Sequence, residues 1–113
     1  MIFQPYHIYQ MKQGVKTETR RVWKRQCAFA GRWYPVMRDY KKGHRHDPED
    51  GYIRITEVVQ QRLGDMTEEA ARAEGGYVLS QYKDVWIGIN GSWDPEQVVY
   101  VVRFVWKLEK VPI

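Results

Sequence analysis

The stretch Gly14-Val15-Lys16-Thr17-Glu18-Thr19-Arg20-Arg21 gathers an ammonium, two hydroxyls, a carboxylate and two guanidiniums within eight residues. It follows a short amphipathic segment that Gly14 ends, and it leads into β-branched, alternating residues that predict a strand. In a straight strand Lys16 and Thr19 would face opposite sides, because side chains alternate. They can meet only if the chain turns between them, as we expect where a helix passes into a strand. The stretch therefore predicts a site for an anionic or polar ligand.

The length of 113 residues predicts a single domain, residues 1–113, with room for a core and one cleft. Five Trp, eight Tyr and three Phe can supply the core and can also stack on bases. Cys27 is the one cysteine, which excludes an internal disulfide and a four-cysteine zinc site. No segment resembles a signal peptide or a membrane span, so we expect a cytoplasmic monomer without membrane contact.

The charge of the chain is unevenly distributed. The net charge is +4, and residues 1–50 hold eleven Lys and Arg against five Asp and Glu, whereas the remainder holds seven against nine. A basic excess confined to one half favours a partner that carries phosphate, through steering and counterion release. The charge pattern therefore predicts a nucleotide or nucleic-acid ligand.

The order of apolar, turn and capping residues predicts an α+β domain. A short helix after Pro5 should end at Gly14, and the region 39–51, which includes the His44–Asp50 loop, should be exposed because it is almost entirely polar. Because so many short strands leave vulnerable edges, a small β-barrel with flanking helices is the favoured solution. The further predicted elements are strands from residue 17 and at 33–37, 52–60 and 98–108, and helices at 68–74 and from about 80 to 90.

Lys16, Thr19 and Glu74 form a candidate catalytic set. A buried amine with a lowered pKa can take the proton of a neighbouring hydroxyl, and a carboxylate can orient the pair. Glu74 lies in the last turn of a predicted helix, where the helix dipole disfavours a carboxylate. The alternative is that Lys16 and Arg21 bind a phosphate while Glu74 forms a salt bridge with them.

A second set of residues mixes cations with aromatic rings, as binders of nucleobases and single strands do. The same composition also describes the surface of a barrel with a packed interior, so both interpretations stay open. His44 and His46 have metal-ligand character but no third ligand at a telling spacing, and we expect neither a metal nor another cofactor. The candidate residues for binding a substrate or RNA are Thr17, Arg20, Arg21, Arg25, Arg32, Trp33 and Tyr34.

The opening stretch resembles the glycine-x-Lys-Thr-x-Thr-x-Arg signature of ASCH domains, small relatives of the PUA barrel. Later stretches resemble the family in the same order, so that the resemblance spans nearly the whole chain. These are Gly31-Arg32-Trp33-Tyr34, the threonine-capped helix within residues 63–75, and the closing region from Trp86 through Asn90-Gly91-Ser92-Trp93-Asp94-Pro95 to Phe104.

The resemblance implies a PUA-like β-barrel with helices beside a cleft, and RNA or a modified nucleoside as the ligand. One bacterial branch, the N(4)-acetylcytidine amidohydrolases, uses a Lys, Thr, Glu set that falls on Lys16, Thr19 and Glu74. The resemblance therefore implies a metal-independent amidohydrolase that deacylates N(4)-acetylcytidine or a related N(4)-acylated cytidine. A non-catalytic RNA-binding module is the alternative, and a ribonuclease is a third. The chain departs from that branch at Arg20, in the charged region 39–51 and in its Trp-rich C-terminal region.

Overall fold

The computed structural model describes residues 1–40 and 43–110, with the backbone alone for residues 39, 40, 43 and 44. Within this part the helices are α1 (Pro5–Lys12), α2 (Glu68–Gly75) and α3 (Leu79–Asn90), and short 3-10 helices occur at Pro48–Asp50 and Leu63–Asp65. None of these helices is long and apolar enough to cross a membrane. The strands are β1 (Ile2–Phe3), β2 (Glu18–Arg21), β3 (Trp33–Pro35), β4 (Met37–Tyr40), β5 (Gly43–Arg45), β6 (Tyr52–Arg62) and β7 (Val98–Lys107).

The strands form two sheets. One has the order β2-β7-β6-β3 and the other β1-β4-β5. The long antiparallel pair of β6 and β7 is the centre of the larger sheet, and a bulge interrupts its register between Ile55 and Glu57. The predicted α+β fold with flanking helices is confirmed, and the predicted helices and strands lie within a few residues of their observed bounds.

The predicted closure of the barrel needs correction, because the two sheets stay open in the described part of the chain. The edge strands β1 and β2 belong to different sheets and are not paired with each other. A side chain connects them instead: Arg21 Nη2 donates to the carbonyl of Ile2 at 2.7 Å, and the guanidinium lies 4.7 Å from the centre of the Phe3 ring. With the guanidinium of Arg21 between them, the backbones of β1 and β2 are too far apart to form the hydrogen bonds of a strand pair.

The core has two parts, one within the sheets and one beneath the helices. The alternation of apolar residues in β6 and β7 supplies much of the first, because every second side chain of a strand points inward. The first part contains Phe3, Ile8, Met11, Ala28, Val36, Ile53, Ile55, Val102 and Phe104, and the second contains Leu63, Met66, Ala71, Tyr82, Trp86 and Val99.

Both ends of α2 follow from local sequence. Thr67 caps the helix by accepting a hydrogen bond from the amide of Ala70 at 3.1 Å. Gly76, with a φ of +79°, ends it in the left-handed conformation that glycine adopts without strain. A side chain at Gly75 would clash with Gln10 of α1, whose Nε2 donates to the Gly75 carbonyl at 3.0 Å. The C-terminal end of α2 is therefore held against α1.

The polar region 39–51, predicted to be an exposed loop, contains regular elements, although Arg45, Pro48 and Glu49 are exposed as predicted. It contains the end of β4, β5 and a 3-10 helix, although residues 41 and 42 lie outside the described part. Asp50 is fully buried and accepts hydrogen bonds from Arg38 Nε at 2.6 Å, Arg38 Nη2 at 2.9 Å and Lys12 Nζ at 3.2 Å. Its carbonyl accepts from Trp106 Nε1 at 2.8 Å. A carboxylate with two cationic partners can be buried, which composition alone does not reveal.

We predict that Asp50→Asn lowers the free energy of unfolding at pH 7 by about 3 kcal/mol, because it removes the partner of two cations from a buried position. Hydrogen bonds from Arg38 hold the pKa of Asp50 below its usual value. Its stabilisation is therefore present above the unfolded pKa and is lost as pH falls through the folded pKa. Urea unfolding at pH 7 and near pH 3 measures the difference in free energy of unfolding between Asp50→Asn and wild type, and this difference should be larger at pH 7.

The matched control is Asp84→Asn, which changes an exposed carboxylate on α3. It should alter stability by less than about 0.5 kcal/mol. Equal stability of the Asp50→Asn variant and wild type at pH 7 would contradict the structural role of Asp50.

Candidate active site

A cavity of about 360 Å³ runs along the outer edge of β2. Thr19 and Arg21 point to one face of this strand and Arg20 points to the other, yet all three line the cavity. Because residues from both faces of β2 line the cavity, the cavity must lie beside the edge of this strand. Its other walls come from β1, from His7 of α1, from Glu74 of α2 and from one face of α3.

The turn that carries Lys16 into the cavity is fixed by backbone hydrogen bonds. The amides of Val15 and Lys16 donate to the carbonyl of Gln10 in α1, at 2.9 and 3.2 Å. The amide of Thr17 then donates to the carbonyl of Ala73 in α2 at 2.8 Å. The carbonyl of Thr17 accepts a hydrogen bond from the amide of Phe104 in β7. These bonds make the predicted turn between helix and strand, and they set Lys16 against the end of α2.

Lys16 is 3% exposed, and its ammonium meets three oxygens. Its Nζ donates to the carbonyls of Glu18 at 3.0 Å and Glu74 at 2.8 Å, and to Glu74 Oε1 at 3.2 Å. Burial lowers the pKa of Lys16, and the Glu74 carboxylate offsets part of that effect. A lysine whose proton is held less tightly than usual is suited to act as a base.

The Glu74 carboxylate forms ion pairs with two cations, Lys16 and Arg20, in the buried wall of the cavity. Its side chain is 2% exposed, and while Oε1 accepts from Lys16, Oε2 accepts from Arg20 Nη1 at 2.8 Å. Arg20 also binds the Glu18 carboxylate through Nη1 and donates from Nη2 to Gln61 Oε1 at 2.9 Å. The two cations stabilise a carboxylate that the helix dipole disfavours at this end of α2.

Thr19 is buried on the same cavity, but its hydroxyl is not bonded to Lys16. Thr19 Oγ1 accepts a hydrogen bond from Arg21 Nε at 3.1 Å. The guanidinium thus lies beside the hydroxyl and favours negative charge there. Lys16 can receive a proton from Thr19 only after its Nζ exchanges one of its three acceptors for Thr19 Oγ1.

The cavity also holds two titratable side chains that the sequence did not single out. Burial lowers the pKa of His7 to about 3, with further contributions from Lys16 and Arg21, so His7 is neutral at neutral pH. Burial also raises the pKa of Tyr82, and the neighbouring Glu74 carboxylate raises it further. Tyr82 therefore stays a phenol that can donate a hydrogen bond.

Several residues predicted to bind the ligand lie elsewhere. Trp33 and Tyr34 belong to β3, at the edge of the larger sheet opposite to β2, and neither lines the cavity. Thr17, Arg25 and Arg32 are exposed and do not line it either, and Arg32 packs 4.9 Å above the ring of a neighbouring Phe. Arg20 and Arg21 do line it. The order of strands, which sequence spacing did not reveal, separates the two groups.

The aromatic walls of the cavity come from Trp23 and Trp86. Trp86 lies on the face of α3 whose spacing with Tyr82, Val85 and Ile89 predicts burial, and that face serves both the core and the cavity. Trp23 lies two residues beyond the end of β2, and its ring centre is 5.5 Å from that of Tyr100. The helical spacing was thus a signal for Trp86, whereas nothing distinguished Trp23 from Trp33.

The described residues contain no group of three His, Cys, Asp or Glu side chains that could hold a metal ion. The side chain of His44, one of the two histidines with metal-ligand character, lies outside the described part. The described lining of the cavity includes a lysine, a threonine hydroxyl, the Glu74 carboxylate and two arginines. These groups can transfer protons and bind polar or anionic ligands.

We predict that Glu74→Gln lowers the free energy of unfolding by about 3 to 5 kcal/mol, because it leaves Lys16 and Arg20 with less than their buried counter-charge. Glu69→Gln is the matched control, since Glu69 is an exposed carboxylate of the same helix. Urea unfolding of the three proteins at pH 7 measures the difference. A loss for Glu74→Gln no larger than that for Glu69→Gln would contradict the pairing.

We also predict that the His7 ring stays neutral from pH 8 down to pH 5, because its folded pKa is about 3. Between the unfolded pKa of about 6.5 and this value the unfolded chain binds one more proton, so His7 makes the fold less stable as pH falls. Ring chemical shifts in an NMR titration check this. A titration midpoint between pH 5 and 8 would show that the ring is hydrated or paired with an acid.

Comparisons with known proteins identify the fold. No family model and no curated protein matches the chain. Among solved structures, the chain is similar to an ASCH domain from Lactobacillus crispatus JV V101, with 13% identity and a TM-score of 0.65 over 89% of this chain and 70% of the other. It is also similar to protein EF3133 from Enterococcus faecalis V583, described by the family model DUF984. That match has 17% identity and a TM-score of 0.57 over 85% of this chain and 63% of the other.

Both likenesses are too distant in sequence to carry an activity across, but they agree on the architecture. The similarity extends over most of the chain, as the resemblance of its sequence motifs implies. The chain therefore has the fold of an ASCH domain.

Proposed function

We propose that this protein is a metal-independent amidohydrolase that removes the acyl group from N(4)-acetylcytidine or a related N(4)-acylated cytidine. The observation that carries the proposal is the buried pair of Lys16 and Glu74, at 3.2 Å, on the same cavity as the Thr19 hydroxyl. A lysine with a lowered pKa, a hydroxyl and an orienting carboxylate are the parts of a nucleophilic hydrolase. We expect the protein to act as a cytoplasmic monomer.

In the first half of the reaction Thr19 Oγ1 attacks the acyl carbon while Lys16, in its neutral form, takes the hydroxyl proton. The tetrahedral intermediate then breaks its carbon–nitrogen bond, and Lys16 gives the proton to the departing N4 nitrogen of cytidine. Glu74 holds Lys16 in place through both transfers. In the second half water attacks the acyl-threonine ester, and Lys16 moves the proton of water to Thr19 as the carboxylic acid leaves.

Arg21 is positioned to stabilise the negative charge of the intermediate. Its Nε already donates to Thr19 Oγ1, so the guanidinium lies within reach of oxygens bonded to the same carbon. The other end of this guanidinium is fixed by the Ile2 carbonyl and the Phe3 ring. A donor held in this way need not reorient during the reaction.

The cytosine ring needs an aromatic surface, and Trp23 and Trp86 supply it in this proposal. Both line the cavity, whereas Trp33 and Tyr34, which the sequence favoured, are on the opposite edge of the sheet. Stacking on an aromatic ring is worth about 1–3 kcal/mol per base.

The second candidate function is an RNA-binding module that holds a nucleotide in this cavity without reacting with it. The observation in its favour is that Lys24 and Arg25 are exposed and directly follow Trp23, which lines the cavity. Exposed cations beside a stacking ring are typical of proteins that bind single strands. Arg20 cannot serve in this way while it is buried between two carboxylates.

We predict that the purified protein releases cytidine from N(4)-acetylcytidine equally well with and without a chelator. Lys16→Met and Thr19→Val should each lower kcat by at least about a hundredfold, because each removes a group that moves a proton or forms a bond. Cytidine release followed by chromatography measures this effect. Lys107→Met and Thr56→Val make the same changes at exposed positions and should keep the wild-type rate.

Two results would contradict the hydrolase. One is the absence of cytidine release at high concentrations of the wild-type protein. The other is full activity of Thr19→Val. If the wild type binds short single-stranded RNA in a salt-dependent manner and releases no cytidine, the binding module is favoured.

A further inference from the structure

The cavity lies against the edge of β2 that faces away from β7, and the backbone groups of Arg20 lie on this edge. In an antiparallel pair, the N–H and C=O groups of alternate residues point toward the partner strand, and those of the residues between them point away. The amide of Phe104 donates to the carbonyl of Thr17, and Glu18 lies opposite Arg103 in the register. Thr19 and Arg21 therefore bond to β7, whereas Glu18 and Arg20 direct their backbone groups outward.

The outward direction is visible at Glu18, whose carbonyl accepts the ammonium of Lys16 at 3.0 Å. Two residues further along, the N–H and C=O of Arg20 point the same way, and Arg20 lines the cavity while being only 5% exposed. Neither group has a hydrogen-bond partner among residues 1–40 and 43–110. Buried backbone groups are nearly always paired, so a pair left open on a cavity marks a place for a ligand.

The missing contact between the sheets explains why the pair is open. Strand β1 also lines the cavity, but within the described part of the chain it pairs with β4 and not with β2, and the Arg21 side chain bonds across to it. An extended ligand or a flat ring can enter the gap and bond to the edge of β2, as an added strand would.

We propose that the backbone of Arg20 reads the pairing edge of a cytosine ring. This inference rests on the proposed function for the identity of the base. The N–H of Arg20 donates to ring nitrogen N3, and the C=O of Arg20 accepts the hydrogen that remains on N4 of an acylated cytosine. The two backbone groups of one strand residue lie side by side and point in one direction, and N3 and N4 are likewise adjacent. The base is then held by the residue that follows Thr19.

The test compares cytidine with two analogues of the same shape. One has a C–H in place of ring nitrogen N3, and the other has hydrogen in place of the amino group at C4, so each erases one of the two contacts. We expect each analogue to bind about tenfold more weakly than cytidine, since each leaves a buried backbone group unpaired. 5-Methylcytidine changes the opposite edge of the ring and should bind as cytidine does. Calorimetric titration of the full chain gives the affinities.

NMR of the ¹⁵N-labelled protein locates the contact. Cytidine should move the amide hydrogen of Arg20 downfield and slow its exchange, whereas the analogue without N3 should do neither. The amide of Thr19 is the internal control, because it faces β7 and should keep its exchange rate. Equal affinities for cytidine and both analogues, an unaffected Arg20 amide, or no binding of cytidine at all would each overturn the inference.

The outcomes separate this inference from the proposed function. If N(4)-acetylcytidine is hydrolysed but the analogues bind as well as cytidine does, the hydrolase stands and the role of the Arg20 backbone fails. If cytidine shows the expected pattern but no acyl group is released, the base contact stands and the hydrolase fails.

Discussion

Two cations, Lys16 and Arg20, share the carboxylate of Glu74, all three residues are buried, and all three line the cavity. Each charge would be costly alone, since a buried ion without a partner loses its hydration. Together they connect β2 to the C-terminal end of α2. Three local features hold β2 and the end of α2 in this arrangement. They are the turn at residues 14–17, the helix end at Gly76 and the contact between α1 and α2.

The same arrangement gives the site its chemistry. Burial lowers the pKa of Lys16, and the Glu74 carboxylate offsets part of that effect. In the proposed reaction the amine of Lys16 is the base. Arg21 donates hydrogen bonds to Thr19 and to the Ile2 carbonyl of β1. Within the described part of the chain β1 and β2 do not pair with each other, the Arg21 side chain bridges them, and residues of both strands line the cavity. A closed barrel would have paired the edge of β2 and left no room for a ligand beside Thr19.

Local sequence was sufficient for most elements of the fold. Pro5, Thr67, Gly14 and Gly76 mark helix ends through backbone physics that acts within a few residues. The alternation in β6 and β7 predicted the central strands for the same reason. Polar composition predicts exposure throughout the region 39–51, but Asp50 is buried, because Arg38 of β4 and Lys12 of α1 pair with its carboxylate. Pairs between different elements do not follow from composition.

The candidate site also has some features that follow from local sequence and others that follow from the tertiary structure. The sequence by itself predicted a turn between α1 and β2 near Lys16, and it placed Glu74 at a helix end where a carboxylate needs cations, because these are consequences of short-range geometry and of the helix dipole. Only the tertiary structure decided that Trp23 and Trp86 line the cavity while Trp33 and Tyr34 lie at the far edge of the sheet. It also decided that Arg20 is an internal counter-ion, and that its backbone faces an open gap. The order of strands and the separation of two edges depend on contacts between distant segments, which residue spacing does not encode.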